Sequence, residues 1–307
     1  MTTTTRSTTM PELSTREAAP GVLLEALEQS GAVLVRDAGV GGADALADLA
    51  AGLDLAALDQ PEPFALRRPL GRGVWSQPAW PATSPMCMHH ELGWQRQPPP
   101  YLLVACLRPA SSGGATGVAD GRAVLSLLPE DMADRAGEHG WSMVRRYTTG
   151  LLGMDWQDAF PGLDAAGVEA YAADEEVELE WGPGGLTTRR TRPAIRPVGR
   201  DGTSAWSNLL AFCSEWTMDP AVRAYLVTAL GRDGLPFETG YGDGTPFTAE
   251  DVATVNSAYE RVTTRIDWRA GDVLLLDNLR TAHSMEPSSD DRRTVVLHAG
   301  PAAAAHS

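Results

Sequence analysis

Short apolar runs separated by glycine- and proline-containing turns set the strongest limit on how this chain folds. Tyr101-Leu102-Leu103-Val104-Ala105-Cys106 and Val273-Leu274-Leu275-Leu276 are nearly continuous in apolar character, the pattern of strands buried on both faces, and Ala32-Val33-Leu34-Val35 reads the same way. Val118-Ala119-Asp120 adds a short strand that returns from a Gly113-Gly114 turn, so that 101–106 and 118–120 read as a hairpin. Arg293-Thr294-Val295-Val296-Leu297-His298 is the strand that closes the domain. Helical spacing is local: Leu23, Leu24 and Leu27 before Gly31, an Ala- and Leu-dense stretch over 43–58, and Ala123 to Leu128. Further on come residues 130–185, helical then irregular, and a helix from about Pro220 to Leu230. The last helix runs to about Thr263, with Thr248 as N-cap and acidic residues in its first turn. Many short strands with helices in inserts and at the N-terminal end favour a mainly β fold with helical decorations, a jelly roll or barrel, over a doubly wound sheet.

No internal repeat and no shift of composition marks a boundary, so one domain is expected over 17–300. The Thr- and Ser-rich residues 1–16 are expected to lack fixed structure, and 301–307 to form a frayed tail. At 307 residues and 43% hydrophobic content the chain can bury a sizeable core. Forty Asp and Glu against 25 Lys and Arg give a net charge of −15, which repels phosphate backbones and anionic membranes, so nucleic acid and membrane are not expected partners. The chain shows no secretory leader pattern and no apolar run long enough to span a bilayer, which points to a cytoplasmic protein. Three cysteines, Cys87, Cys106 and Cys213, without CxxC spacing suit a reducing compartment and read as packing residues.

Chemistry concentrates in Met88-His89-His90-Glu91-Leu92-Gly93-Trp94. On a strand running into a turn, His89 and Glu91 point one way and His90 the other. An imidazole and a carboxylate aimed at one point need a third ligand to make the face that holds non-haem Fe(II), and His283 is the downstream histidine in comparable surroundings. Arg293, ten residues after His283, could reach into the barrel and pair with a carboxylate by a two-pronged hydrogen bond, with Arg292 facing outward by alternation. The Thr116 hydroxyl could donate to an anion, or Thr116 could simply suit a strand. Trp75, Trp80 and Trp94 lie in or beside a long irregular Pro- and Gly-rich stretch, where they line a pocket or cover a core edge. Arg189, Arg190, Arg192 and Arg196 are unusual in so acidic a chain, and stand either for exposed arginines on a strand edge or for a substrate clamp. Asn208 falls on an expected strand over 204–209.

In combination these residues resemble the TauD/TfdA branch of Fe(II)/2-oxoglutarate-dependent oxygenases, and within it the clavaminate-synthase-like and syringomycin-pathway-like hydroxylases. The resemblance runs over about 60–300, through His89-His90-Glu91, Gly113-Gly114-Ala115-Thr116, Asp120-Gly121-Arg122, Trp206-Ser207-Asn208, Gly271 to Asn278, His283 and Arg292-Arg293. It implies a double-stranded β-helix of cupin type, with His89, Glu91 and His283 as iron ligands and Arg293 and Thr116 as the 2-oxoglutarate anchor. Beside them, His90, Trp94, Asn208 and Arg192 are the candidate substrate contacts. The implied reaction is hydroxylation, desaturation or cyclisation at an unactivated C–H bond of an amino-acid-like small molecule, free or carrier-tethered, in natural-product biosynthesis. It consumes O2 and decarboxylates 2-oxoglutarate to succinate. The alternative is a cupin-type metal-dependent hydrolase or isomerase that does not use 2-oxoglutarate. His90 stands where many relatives have Asn, Met285 where close relatives often have Arg, and the presence of Glu91 disfavours halogenation.

Overall fold

The computed structural model describes residues 10–59, 61–148, 154–199, 202–289 and 292–302. Val273–Asp277 is the hub of the larger sheet. It pairs antiparallel with Ala32–Arg36 on one side and with Tyr101–Arg108 on the other, and Tyr101–Arg108 in turn pairs with Arg293–Pro301. The continuous apolar runs are central strands because both of their faces are covered. On one face Val33, Leu103, Leu275, Val295 and Leu297 pack with Leu23 and Leu27 of the helix Pro20–Ser30 and Leu46 of the helix Ala43–Gly52. On the other, Leu34, Leu102, Leu274, Leu276 and Val296 meet Val118, Ile266 and Trp268.

Those last three residues lie on or beside the second sheet, whose order is Thr264–Ile266, Thr116–Asp120, Thr281–Met285 and Met86–His89, all antiparallel. Two sheets facing across an apolar layer make the double-stranded β-helix expected from the sequence. A third sheet, ordered Glu178–Gly182, Gly185–Arg192, Trp141–Thr148 and Phe237–Tyr241, is built from inserted segments and has its own small core of Tyr147, Ala159, Phe160, Val168 and Leu186. Among the described residues no helix is long and apolar enough to cross a membrane.

Several local expectations need correction. Glu12–Ser14 is a strand paired in parallel with Leu34–Arg36, and Met10 packs against the core, so order begins within the segment expected to be unstructured; residues 1–9 lie outside the described residues. At the other end Pro301 still pairs with Leu55, while 303–307 lie outside the described residues. The 43–58 segment splits: the helix stops at Gly52, Asp54 takes a positive φ of 60°, and Leu55–Ala57 pairs with the closing strand. The strands 101–108 and 116–120 form no hairpin, because they belong to different sheets. Gly113 and Gly114, both at positive φ, carry the chain across from one sheet to the other, and the Gly114 N–H donates to Pro287 O at 2.9 Å. The capping box at Thr248 forms as expected, with Asp251 as its partner.

Candidate metal centre and its cavities

His89 ends the strand Met86–His89, and its register partner across the ladder is His283 of Thr281–Met285. Paired residues of an antiparallel ladder project from the same face, so the two imidazoles lie side by side with ring centroids 4.2 Å apart. Glu91 lies two residues past the strand end, in a turn that Leu92 enters at φ 53°. Its backbone is clasped by Asn278, which follows the central strand of the larger sheet: Glu91 N–H donates to Asn278 Oδ1 at 2.8 Å, and Asn278 Nδ2 donates to Glu91 O at 2.9 Å and Pro99 O at 2.8 Å. Ligand atoms of His89, Glu91 and His283 fall within 4.8 Å of one another.

The carboxylate is divided between two tasks. Glu91 Oε2 stands 3.7 Å from Nε2 of both His89 and His283, while Oε1 faces Arg67 Nη2 at 3.1 Å and His298 Nε2 at 3.3 Å. Burial alone would raise the Glu91 pKa, but the Arg67 guanidinium, with His298 and His89, outweighs it and holds the group well below the usual carboxylate range. Burial, aided by neighbouring His89, holds His283 well below its ordinary value against the pull of Glu91, which favours the neutral ring with one nitrogen lone pair to offer a metal. His89 Nδ1–H donates to Cys87 O at 2.8 Å, which fixes the tautomer and leaves Nε2 free to ligate.

Two cavities meet at this cluster and share Arg67, Pro78, Met86, His89 and Glu91 as a common wall. The larger, about 500 Å³, is lined further by Leu102, Val104, Thr116, Met285, Arg292, Thr294 and Val296. Arg292 is only 7% exposed. Its Nη1 donates to Gly114 O at 2.9 Å and its Nη2 touches Met285 Sδ, yet no carboxylate among the described residues pairs with it, and burial pushes its pKa down. Thr116 Oγ1 accepts from Trp268 Nε1 at 2.9 Å, which leaves its own proton to donate.

Arg293, expected in this cavity, is exposed at the start of its strand. Alternation along this strand runs in the opposite phase to the expected one. Arg292, Thr294 and Val296 share the cavity face, whereas Val295 and Leu297, in phase with Arg293, face the helices.

The smaller cavity, about 320 Å³, is lined beyond the shared wall by Phe64, Ala65, His90, Leu92, Trp94 and Phe212. Phe212 stacks on the His89 ring at 4.6 Å and packs against Phe64 at 4.7 Å. Trp94 lies in this wall with Arg145 over its ring at 5.3 Å. His90 is buried, with Nδ1 2.6 Å from Asn278 O and Nε2 3.2 Å from Trp206 O; burial, against these hydrogen bonds, pushes its pKa down to about 4.

Two expected substrate contacts line neither cavity. Asn208 Nδ2 donates to Ala194 O and its Oδ1 accepts from Leu210 N–H, while Arg192 donates to Trp94 O and Glu175 O. Both are consumed in holding backbone. Arg190 and Arg192 are buried rather than exposed, since Gly185–Arg192 is an interior strand of its sheet; Arg189 is exposed.

The sequence reading missed Arg67, His298 and the work of Asn278. His298 was open to detection, since it continues the even-numbered series from Arg292 that faces inward. Arg67 sits in a stretch without periodicity, and its role could not be read from pattern.

Over residues 8–299 the chain matches the model of the taurine catabolism dioxygenase TauD, TfdA family. It is 28% identical over 278 residues to the dapdiamide synthesis protein DdaC of Enterobacter agglomerans, covering 90% of this chain and 84% of that one. It is 26% identical over 279 residues to a clavaminate synthase-like protein of Arabidopsis thaliana, covering 88% and 81%. Among solved structures it resembles PvcB from Pseudomonas aeruginosa, with a TM-score of 0.55, 14% identity and coverage of 94% and 85%. Family match, fold and donor set agree: the chain belongs to the TauD, TfdA family and is an Fe(II)/2-oxoglutarate-dependent dioxygenase.

Proposed function

We propose that this dioxygenase oxidises an unactivated C–H bond of an amino-acid-like small molecule in natural-product biosynthesis, by hydroxylation or by desaturation or cyclisation. The observation that carries the reading is the pairing of a two-imidazole, one-carboxylate cluster with a buried arginine that has no anionic partner among the described residues. The donor set suits Fe(II): two imidazoles and one carboxylate oxygen converge, and the other carboxylate oxygen is already engaged. His89, Glu91 and His283 would hold the metal. Arg292 and the Thr116 hydroxyl would take the far carboxylate of 2-oxoglutarate, and a buried guanidinium with no carboxylate partner among the described residues suits that charge. A hydrolase or isomerase without 2-oxoglutarate has no use for it. Bound together, Fe(II), 2-oxoglutarate and O2 supply the oxidising power for breaking a C–H bond, with succinate released.

The chain's own residues do the remaining work. Cys87 O holds the His89 tautomer, Asn278 fixes the Glu91 backbone, and Arg67 and His298 keep Glu91 ionised. Phe64, Phe212 and Trp94 give the smaller cavity an aromatic wall, and we take it as the substrate side. DdaC, a dapdiamide synthesis protein, and PvcB, described as an Fe, alpha-ketoglutarate dependent oxygenase from an isonitrile synthetic pathway, support the pathway context. Three unpaired cysteines support a cytoplasmic setting.

The test is a panel of amino acids and related metabolites assayed for substrate-triggered, Fe(II)-dependent succinate release, with mass spectrometry for a gain of one oxygen or a loss of two hydrogens. His283→Ala should abolish the triggered release. Full turnover in that variant would refute the metal assignment.

A further inference from the structure

Resting on the reading of the site as an Fe(II)/2-oxoglutarate centre, we propose that Arg67 is the substrate anchor: it binds a carboxylate of the substrate, whose apolar part lies against Phe64, Phe212 and Trp94. Arg67 is the cationic side chain shared by both cavities. Its side chain is 8% exposed; Nη1 donates to Ser76 O at 3.3 Å and Nη2 to Glu91 Oε1 at 3.1 Å. Nε makes no hydrogen bond among the described residues, so part of the guanidinium fork is still open to an acceptor in the cavity.

Charge counting gives the sign of that acceptor. Among the described residues the charged groups lining the two cavities are Arg67, Arg292 and Glu91. Two positive charges on the metal and two negative charges on 2-oxoglutarate cancel, Glu91 offsets one guanidinium, and one positive charge is left. With Arg67 and Arg292 both largely buried, that surplus favours a ligand bearing a single negative charge. Behind the Trp94 wall the bias continues, because Arg145 and Arg190 face one buried carboxylate, Glu62. The cationic interior contrasts with a chain whose net charge is −15.

Arg67 is also held as a preorganised donor should be. The strap that carries it is clamped five residues upstream. Glu62, fully buried, receives Arg190 Nη1 at 2.8 Å and Nη2 at 2.5 Å and accepts from the Tyr147 hydroxyl. Arg145 donates to Glu62 O at 3.1 Å and Pro63 O at 2.7 Å, and Glu62 N–H to Ala159 O at 2.9 Å. The inserted third sheet thereby fixes Phe64 and Arg67 over the metal cluster.

The experiment titrates protein loaded anaerobically with Fe(II) and 2-oxoglutarate with pairs of small ligands: aromatic and branched aliphatic acids of amino-acid size, each beside its primary amide. The metal-to-2-oxoglutarate charge-transfer absorbance of the wild type is recorded first, and its absence would overturn the reading of the site rather than the role of Arg67. With the band present, at least one acid should bind ten- to a hundred-fold more tightly than its amide, as expected for a charge-assisted hydrogen bond. Arg67→Gln should bring that ratio to near unity, and Arg67→Lys should restore part of it. The ratio compares two ligands in one protein, so it is insensitive to a general loss of activity. A wild type in which no acid binds more tightly than its amide, or an Arg67→Gln protein that keeps the wild-type ratio, overturns the proposal. If Arg67→Gln does not fold, the wild-type ratio and the Arg67→Lys ratio decide it, and an unchanged preference in Arg67→Lys counts against a fork that depends on Nε.

Discussion

Replacing Arg292 by Gln should separate ligand affinity from protein stability. The guanidinium is buried and has no carboxylate partner among the described residues, so the free protein bears the cost of a poorly matched charge. A glutamine amide can still donate to Gly114 O and removes that charge, so the melting temperature of the variant should equal or exceed that of the wild type. Affinity for 2-oxoglutarate should move the other way. Breaking one partner of a buried, hydrogen-bonded charge pair costs about 3–5 kcal/mol, and each 1.4 kcal/mol is about tenfold. The dissociation constant should therefore rise on the order of a hundred- to a few-thousand-fold. Calorimetric titration of 2-oxoglutarate into Mn(II)-loaded protein under argon measures it without turnover. Arg293→Gln is the matched control: its side chain is exposed and off the cavity face, so its affinity should stay within about threefold, as for surface substitutions. Loss of affinity in Arg293→Gln with retention in Arg292→Gln would refute the assignment of faces along this strand.

Three further outcomes are expected. Asn278→Ala removes the clasp on both backbone groups of Glu91 and on Pro99 O, and should lower Fe(II) affinity by about 10–100-fold, read by metal titration, because what orients a ligand governs how well it binds. Glu62→Gln should destabilise the fold by roughly 3–5 kcal/mol at neutral pH, read by urea melts. Desolvation works against it, but Arg190 holds the Glu62 pKa below its ordinary 4.5; its contribution is complete above that value and fades as pH falls towards the folded-state pKa, so the gap between wild type and variant should narrow in acid. Gly121→Ala should cost about 1–3 kcal/mol by thermal melt, since a Cβ there would lie 2.5 Å from Trp206 O and 2.8 Å from Arg280 O, neither of which is a side chain that can swing away.

The parts of this protein legible in its sequence are those governed by short-range rules. Continuous apolar runs marked the central strands because both faces are covered, and the Thr248 capping box marked a helix start because its hydrogen bonds are local. His89 and Glu91 were legible as a pair through spacing and His283 through scarcity of histidines, and the structure brings the three together. Phase is where the reading failed. Arg292 and Arg293 are neighbours, and only knowledge of which face the helices cover decides between them. The supposed hairpin failed for a related reason: a turn that crosses between facing sheets carries the same glycines as one that folds back in a single sheet. Arg67, Arg190 and Arg192 were beyond local rules, since their partners at Glu91, Glu62 and Glu175 are set by tertiary placement of an irregular strap and an inserted sheet.

The ligand set also accounts for why a jelly roll suits this chemistry. His89 and His283 come from adjacent strands of the smaller sheet, and their approach is a matter of register alone; a slip of one residue would turn one imidazole to the opposite face. Glu91 lies beyond the strand end and owes its position to Asn278, at the end of the central strand of the larger sheet. The cluster is thus placed by both sheets at once, and neither alone would fix it. Arg292, just before the closing strand, and Thr294 and Val296 on it come from the side of the larger sheet and Thr116 from the smaller, so the larger cavity is walled in the same two-sided way. What remains open is the side facing Phe64 and Phe212, built from the irregular strap and a loop rather than from either sheet. On the proposed assignment the strands of the barrel would hold metal and co-substrate, while the segments with least regular structure, pinned by buried arginines of the inserted sheet, would shape the wall that a particular substrate must fit.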